Sequence, residues 1–263
     1  MVKKETYLTC SDGNIFEGMT SISAIIKKHE ETNNCQKINK VIVDKDKIKS
    51  KSREIAYLKR KSVELGFEMC YATAQEIDKM TTGNTHGGII ALCSPSAIPL
   101  LYDEFKKIKP NGIYIMLDGI EDPYNFGYSV RSIYAAGADG VILTPRNWMN
   151  VAGIVAKSSA GTSELIDMFI ADPDVAIETF RKKGYKIICS GIRNSVSMYD
   201  ADMKKPIFLI VGGEKRGISS TIEEKADVVA RIEYGREFRG SLSAASAATV
   251  MAYEIYRQNR KYT

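Results

Sequence analysis

The sequence predicts an α/β protein of two domains, the second of which is built on a mostly parallel sheet. With 263 residues, the chain is long for one small core and sufficient for two. Short apolar runs alternate with segments of helical periodicity along its whole length. From Ile113 onwards this alternation becomes regular, which is typical of a parallel sheet covered by helices on both faces.

The first hundred residues predict a small α/β domain. The predicted helices are Met19–His29, Ser52–Leu65 and Ala74–Met80, and the predicted strands are Lys40–Val43, Glu68–Tyr71 and Ile89–Leu92. A proline-containing stretch and a polar segment then interrupt the pattern. We therefore expect one domain over residues 1–97, a linker over 98–112 and a second domain over 113–263.

The second domain contains strands and helices in turn. The predicted strands are Ile113–Leu117, Gly140–Leu143, Lys186–Cys189, Ile207–Val211 and Val228–Ile232. The predicted helices are Tyr128–Ala136, Val151–Ser158, Pro173–Lys183, one within Ser219–Ala226, and Ser243–Arg260.

Composition and charge indicate a soluble globular protein. The chain is 44% hydrophobic and 26% charged, values typical of ordinary folded domains. Its net charge of +5 suits a polyanionic partner, and positive residues are concentrated between Lys37 and Lys61. A solvated helix face explains such a run as well as a nucleic-acid contact does.

Several classes of protein are disfavoured. The five cysteines are scattered without a CxxC pair, which predicts reduced thiols, and His29 and His86 lie too far apart in sequence to suggest a zinc site or a catalytic triad. No apolar run approaches the roughly 18 residues of a membrane span, and no signal segment follows the N-terminal lysines. We expect a cytoplasmic protein.

The segment LDGIEDPYNFGYSVRSIYAAGADGVIL follows the first strand of the second domain. Asp122, Pro123 and Asn125 predict a turn into a helix, and capping alone accounts for them. Arg131 differs, because an arginine near a helix N-terminus gains nothing from the macrodipole. A phosphate ligand would explain its position.

Two later loops also follow strands, where open α/β sheets place their ligands. The first reads FLIVGGEKRGIS, whose paired glycines permit a sharp turn or a close backbone approach but match neither a Walker loop nor GxGxxG. The second contains Gly235 and Gly240 and leads through Ser241 to a helix rich in alanine. Either Ser241 or Ser243 can cap that helix.

In order and content, these three loops resemble the signature motifs of TrmH-like (SpoU) RNA methyltransferases of the SPOUT class. Asn125, Gly127 and Arg131 occupy the positions of the first motif's Asn, Gly and Arg. The second motif, a strand followed by Gly, a variable residue and Glu, reads VGGE and ends at Glu214. The third reads Ile232, a glycine-containing loop and SLSAAS.

Two further segments extend this resemblance over nearly the whole chain. SSAGTSEL, which begins at Ser158, is similar to the spacer between the first and second motifs. GNTHGGIIAL, which contains His86, is similar to the closing signature of the ribosomal-protein-like substrate-binding domain that many members carry.

The resemblance implies a catalytic domain with a deep trefoil knot, S-adenosylmethionine as cofactor and no metal. It implies methyl transfer to a ribose 2′-hydroxyl. The catalytic positions implied are Arg131, Asn125, Glu214, Ser241 and Ser243. The cofactor-binding positions implied are Gly212, Gly213, Ile232, Leu242 and Ser190.

The resemblance also implies partners. The N-terminal domain would bind RNA through its lysines, with large-subunit ribosomal RNA favoured over transfer RNA as the substrate. The chain would form a homodimer through its catalytic domain.

One departure from the family pattern keeps an alternative open. The third motif has Asn where this chain has Ser243, and a hydroxyl cannot reproduce the two-ended hydrogen bonding of an amide. A catalytically degenerate RNA-binding protein of the same fold is therefore one alternative. An unrelated doubly wound enzyme with a nucleotide cofactor at the glycine turn is another.

Overall fold

The computed structural model describes residues 15–32, 36–81, 86–95, 98–145, 151–213 and 217–260. The described residues form two compact units. The first comprises those up to 95 together with 151–153, and the second comprises 98–145 and 154–260.

The first unit is a four-stranded sheet with helices. Its strands are β1 (Ile15–Glu17), β2 (Ile38–Asp44), β3 (Glu68–Ala72) and β4 (Ile89–Cys93), and its helices are α1 (Gly18–Glu31), α2 (Ser52–Leu65) and α3 (Ala74–Asp78). The strand order is β1-β4-β2-β3, with β2 and β3 parallel and the other pairs antiparallel. Strand β1 is absent from the elements that the sequence predicts, because three residues are too few to establish a period.

The second unit contains a seven-stranded sheet in which every pair is parallel. Its strands are β5 (Ile113–Asp118), β6 (Gly140–Leu143), β7 (Asp167–Ile170), β8 (Lys186–Ser190), β9 (Val196–Ser197), β10 (Ile207–Gly212) and β11 (Val228–Arg231). Its helices are α4 (Pro123–Ala135), α5 (Ala152–Ser158, whose first two residues fall in the first unit), α6 (Pro173–Lys182), α7 (Ser220–Glu223) and α8 (Ala244–Asn259). The prediction of a mostly parallel α/β sheet is confirmed.

The strand order is β7-β6-β5-β10-β8-β11-β9. Strands β5 to β7 build one half of the sheet and the later strands build the other half, so a topological switch point lies between β5 and β10. From β5 the chain moves outward through β6 to β7, and it later returns to fill the position between β5 and β8 with β10. Open α/β sheets bind ligands beyond the carboxyl ends of their strands at such a switch point. We call this side of the sheet the carboxyl edge.

Helices α4 and α8 pack on each other and run in the same direction. Helix α4 starts at the carboxyl edge because it connects the parallel strands β5 and β6. Helix α8 ends at the opposite edge, where Asn259 bonds through its side chain to Met203 O (2.9 Å) and Lys205 N (3.0 Å), just before β10. Both helices therefore begin at the carboxyl edge.

Helix α4 begins five residues before the predicted start at Tyr128. Asp122 caps it by accepting a hydrogen bond from Asn125 N at 2.7 Å, and Pro123 occupies the first turn. Asn125 is therefore part of the helix, and the turn predicted from these residues is its first turn.

Residues 98–112, which the sequence predicts to be a linker, pack within the second unit. Leu101 and Ile108 are buried in its core cluster. Leu100 forms an isolated parallel bridge with Ile170, and Leu101 N donates to Ile170 O at 2.9 Å. This segment therefore extends the sheet beyond β7.

Glu254 near the end of α8 is a buried carboxylate that is fully paired. It accepts hydrogen bonds from Arg257 at 2.8 Å and from Gln258 at 2.7 Å, and Gln258 in turn bonds to Met203 N and Ala201 O. These bonds to the charged form, Arg257 first, hold the pKa of Glu254 below its usual value.

We expect Glu254→Gln to lower the free energy of unfolding at neutral pH by roughly 1–3 kcal/mol, because charge-assisted hydrogen bonds are lost. A carboxyl group with a lowered folded pKa stabilises the fold above its unfolded pKa, and this contribution disappears as the pH falls through the folded pKa. In denaturant unfolding across the acid range, the free energies of unfolding of the wild type and of Glu254→Gln should therefore become equal at low pH. A pH-independent difference would contradict an electrostatic origin.

No helix among the described residues is both long and apolar enough to cross a membrane.

Candidate active site at the carboxyl edge

Three neighbouring strands end in residues with small or polar side chains at the switch point. Gly212 at the end of β10 lies in register with Asp118 at the end of β5. On its other side, Gly212 N points to Ser190 Oγ at the end of β8, at 3.5 Å. The predicted positions Gly212 and Ser190 are thus brought together, although they are 22 residues apart in sequence.

Gly212 and Gly213 are glycines because other backbone segments occupy the space of a side chain. A Cβ atom on Gly212 would lie 2.5 Å from the carbonyl carbon of Gly217, and one on Gly213 would lie 2.4 Å from the carbonyl oxygen of Gly119. Gly217 therefore lies against the end of β10, and Gly213 lies against the residue that follows β5. This packing fixes the backbone groups of Gly212, Gly213 and Gly217 at the carboxyl edge.

Asp118 is a candidate functional residue that was not predicted from the sequence. It is half-buried, and its side chain makes no hydrogen bond or ion pair in the described part of the chain. Burial raises the pKa of its carboxyl group. A polar residue directly after a buried strand of a parallel sheet was the signal available in the sequence.

A cavity of about 400 Å³ lies beside the end of β11. The predicted cofactor positions Ile232 and Leu242 both line it. The other lining residues are Tyr199, Glu233, Tyr234, Gly235, Arg236, Phe238 and Val250. Gly212, Gly213 and Ser190 are not among the lining residues, so the predicted cofactor positions fall into two neighbouring groups.

Three aromatic residues, Tyr199, Tyr234 and Phe238, contribute to the wall of this cavity. Tyr234 and Phe238 pack edge to face with their centroids 5.4 Å apart, and the hydroxyl of Tyr234 accepts a hydrogen bond from Leu242 N at 3.3 Å. Both rings are partly exposed. Such a wall suits a planar heterocycle, and aromatic residues within a Gly- and Arg-containing loop were the sequence signal for it.

Arg131 lies two turns into α4 and is exposed. Its side chain makes no ion pair or hydrogen bond with the residues that the structure describes. Its guanidinium group is therefore available to an external anion. Asn125, one turn into the same helix, is partly buried, and its backbone carbonyl accepts a hydrogen bond from Ser129 Oγ at 2.8 Å.

The two predicted serines differ in their surroundings. Ser243 caps α8, since its Oγ accepts from Ser246 N at 3.2 Å, as capping predicts. Ser241 is exposed and makes no hydrogen bond within the described residues. Glu214, the remaining predicted catalytic residue, lies outside the described residues.

Cysteine chemistry and metal binding find little support in the described part of the chain. Cys189 is buried beside the switch point, and burial raises the pKa of its thiol to about 12, so it is not a thiolate at neutral pH. Among the described residues, no group of three or more His, Cys, Asp or Glu side chains is arranged to hold a metal ion.

The chain belongs to the SpoU rRNA methylase family, whose model matches residues 112–253. The protein is therefore an RNA methyltransferase of the SpoU class, and the cofactor that follows from this membership is S-adenosylmethionine. The resemblance found in the three loop motifs is confirmed.

Known proteins resemble both halves of the chain. YacO of Bacillus subtilis, assigned to the TrmH family of tRNA/rRNA methyltransferases, is 25% identical over 227 residues, which are 85% of this chain and 89% of YacO. An rRNA methyltransferase from Sinorhizobium meliloti with bound S-adenosylmethionine superposes with a TM-score of 0.75 and 22% identity, covering 94% of this chain and 88% of that one. A structure described as an RNA 2′-O ribose methyltransferase superposes with a TM-score of 0.74 and 18% identity, covering 93% and 88%.

The described residues fit S-adenosylmethionine. The aromatic cavity is large enough for a nucleoside, because pockets for small ligands begin at about 300 Å³. Ile232 and Leu242 lie in its wall, and Asp118 lies beside Gly212 at the ends of β5 and β10.

Proposed function

We propose that this protein transfers a methyl group to a ribose 2′-hydroxyl of large-subunit ribosomal RNA. The observation that carries the proposal is Arg131, an exposed and unpaired arginine on a helix that opens at the same edge as the glycine loop. A structural neighbour described as an RNA 2′-O ribose methyltransferase supports the ribose as the acceptor. The cytoplasm is the proposed place of action.

Arg131 binds the RNA phosphate next to the target ribose. Its planar guanidinium group matches a phosphate in two-point hydrogen bonding and remains charged at any ordinary pH. A permanently charged group is unsuited to removing a proton, but it stabilises the negative charge that develops on the 2′-oxygen. Arg131 therefore positions the nucleotide and favours ionisation of its hydroxyl group, whose proton passes to water as the oxygen–methyl bond forms and the sulfur–methyl bond breaks.

The other predicted residues orient the site. Asn125 and Glu214 hold the reacting groups in line, and Ser241 donates or accepts a hydrogen bond close to the 2′-oxygen. Ser243 contributes chiefly by fixing the start of α8, which its capping bond supports. Gly212, Gly213, Ser190, Ile232 and Leu242 hold the cofactor, which supplies an electrophilic methyl group when bound.

The protein works as a homodimer through the second unit. Tyr124 and Tyr128 lie one turn apart on α4, and both are about half exposed. Helix α8 presents Tyr253 and Tyr256, also about half exposed, with ring centroids 6.3 Å apart. Exposed aromatic residues on two adjoining helices are typical of a surface that a second copy covers.

We expect Tyr128→Glu to convert the dimer to a monomer, because a charge would be buried in the contact between the two copies. Light scattering coupled to size-exclusion chromatography measures the change. Tyr102→Glu is the matched control, since Tyr102 is 79% exposed and lies outside α4 and α8. If Tyr128→Glu remains a dimer, the interface lies elsewhere. If the wild type is a monomer, the proposed dimer does not exist.

The position of the methyl group tests the reaction. The protein is incubated with unmodified ribosomal RNA and tritium-labelled S-adenosylmethionine, and the product is digested to nucleosides. We expect the label on ribose at one nucleotide of the large subunit. Label on a base would exclude the ribose reaction, and absence of label despite cofactor binding would favour a degenerate RNA-binding protein.

A further inference from the structure

The first unit carries a basic loop, defined as residues 45–53, that joins β2 to α2 and includes the first two residues of that helix. Asp44, at the end of β2, donates its N–H to Gly88 O at 2.8 Å, and its side chain accepts from Asp46 N at 3.0 Å. The end of β2 is therefore tied to the turn that precedes β4. The basic loop and the Gly87–Gly88 turn form one surface.

The positive charge of the basic loop is largely unneutralised. Its five cations are Lys45, Lys47, Lys49, Lys51 and Arg53, against one carboxylate within the loop, Asp46. Within the described residues only Lys51 forms an ion pair, with Glu54 at 3.5 Å.

Other cations of the same unit have acidic partners. Lys40 pairs with Glu68, and Arg60 and Lys61 pair with Glu64. The basic segment between Lys37 and Lys61 thus has two parts. One is a solvated face of α2 whose cations are paired, and the other is the basic loop, whose cations are mostly unpaired.

The lysine side chains lie across the glycine turn. Gly87 and Gly88 have φ values of +63° and +81°, a conformation that favours glycine. A Cβ atom on Gly88 would lie 2.6 Å from Cδ of Lys47, and one on Gly87 would lie 3.9 Å from Nζ of Lys51. Gly87 is exposed, and its N–H donates no hydrogen bond to any described residue.

A buried histidine fixes the shape of this turn. His86 is 4% exposed, and its Nδ1 accepts a hydrogen bond from Gly88 N at 2.9 Å. The proton is therefore on Nε2, which donates to Asp78 Oδ1 at 2.8 Å. Because both ring nitrogens are engaged, the turn is held in one conformation before any ligand binds.

We propose that the Gly87–Gly88 turn, together with Lys47 and Lys51, binds a backbone phosphate of the RNA substrate. The side-chain stem of Lys47 and the ammonium group of Lys51 lie against a turn with a free backbone N–H, and Glu54 is the acidic side chain that pairs with Lys51 among the described residues. Asp44 Oδ2 lies on the Gly88 side of the turn, 3.4 Å from the position of a Cβ atom on Gly88. Such a contact sets the register of RNA without reading its sequence. The inference rests on RNA as the substrate, and it assigns the GNTHGG motif a binding role.

The test compares two double variants of the full chain that remove the same charge. Lys47→Gln with Lys51→Gln removes the proposed contacts, and Arg60→Gln with Lys61→Gln removes cations that are already paired. Filter binding of an unmodified large-subunit ribosomal RNA transcript is measured at several salt concentrations. We expect the first variant to bind at least about tenfold more weakly, with a salt dependence reduced by about two ions, and the control to change by less than about twofold.

Equal losses in the two variants would show a general charge effect and overturn the proposal, as would unchanged binding by the first. Affinity for S-adenosylmethionine and the unfolding midpoint should stay constant in both variants, which separates a local effect from misfolding. The position of the methyl group does not enter this measurement. Label on a base would therefore refute the ribose reaction and leave the phosphate site standing. RNA binding that does not depend on Lys47 and Lys51 would refute the phosphate site and leave the ribose reaction standing.

Discussion

Arg131→Ala is expected to lower kcat for methyl transfer by about 10²–10³-fold, the typical effect of removing one group that stabilises a developing oxyanion. The affinity for S-adenosylmethionine and the stability should not change. Arg131 is exposed and has no partner in the described part of the chain, so its removal leaves no buried group unsatisfied. Single-turnover kinetics with saturating cofactor measure the effect.

Two variants sharpen this prediction. Arg131→Lys keeps the charge but loses the planar fork, so it should restore only part of the rate. Lys204→Ala removes an exposed cation just before β10, at the edge opposite the site, and should retain wild-type activity. Full activity in Arg131→Ala would exclude this arginine from the reaction, and equal losses in Arg131→Ala and Lys204→Ala would indicate a general effect of charge on RNA binding.

Gly213→Ala is expected to have the largest effect on stability. The added methyl group would lie 2.4 Å from the carbonyl oxygen of Gly119 and 2.7 Å from its carbonyl carbon. These are backbone atoms next to β5, which cannot rotate away as a side chain could. We expect the free energy of unfolding to fall by about 1–3 kcal/mol or more, together with weaker binding of S-adenosylmethionine, because the loop after β10 must move.

Gly235→Ala is the matched control for stability, because a Cβ atom on Gly235 would meet no atom within 4 Å. Its free energy of unfolding should stay within about 0.5 kcal/mol of the wild type. Denaturant titration compares the two variants. If Gly213→Ala is as stable as Gly235→Ala, the backbone at Gly119 moves at little cost to accommodate the methyl group. The close approach of Gly213 to Gly119 would then not explain why Gly213 is a glycine.

Most strands and helices were predicted from the sequence, including the four-residue strand β6, but strands β7 and β9 were not. The strand over Ile207–Val211 and the helix over Ser52–Leu65 agree with β10 and α2 because their apolar patterns are long enough to identify. Strand β9 has two residues, which are too few to show a period. Both β7 and β9 are strands because neighbouring strands supply their hydrogen-bond partners.

The candidate site also combines residues that were predicted from the sequence with residues that only the structure reveals. Gly212, Ile232 and Leu242 were selected from motifs, whereas Asp118, Tyr234 and Phe238 became candidates only when the loops were seen to share an edge or a cavity. The domain boundaries, the trefoil knot and the roles of individual site residues stay predictions.

By itself, the sequence determined the class of fold, the order of the main elements, the family and the loops that carry its motifs. Such features depend on periodicity, capping and motif content, which act between residues close together in the chain. Only the tertiary structure decided that β10 lies between β5 and β8, that Ser190 meets Gly212, and that the Gly87–Gly88 turn lies under Lys47. These arrangements depend on contacts between distant segments, which no local pattern encodes.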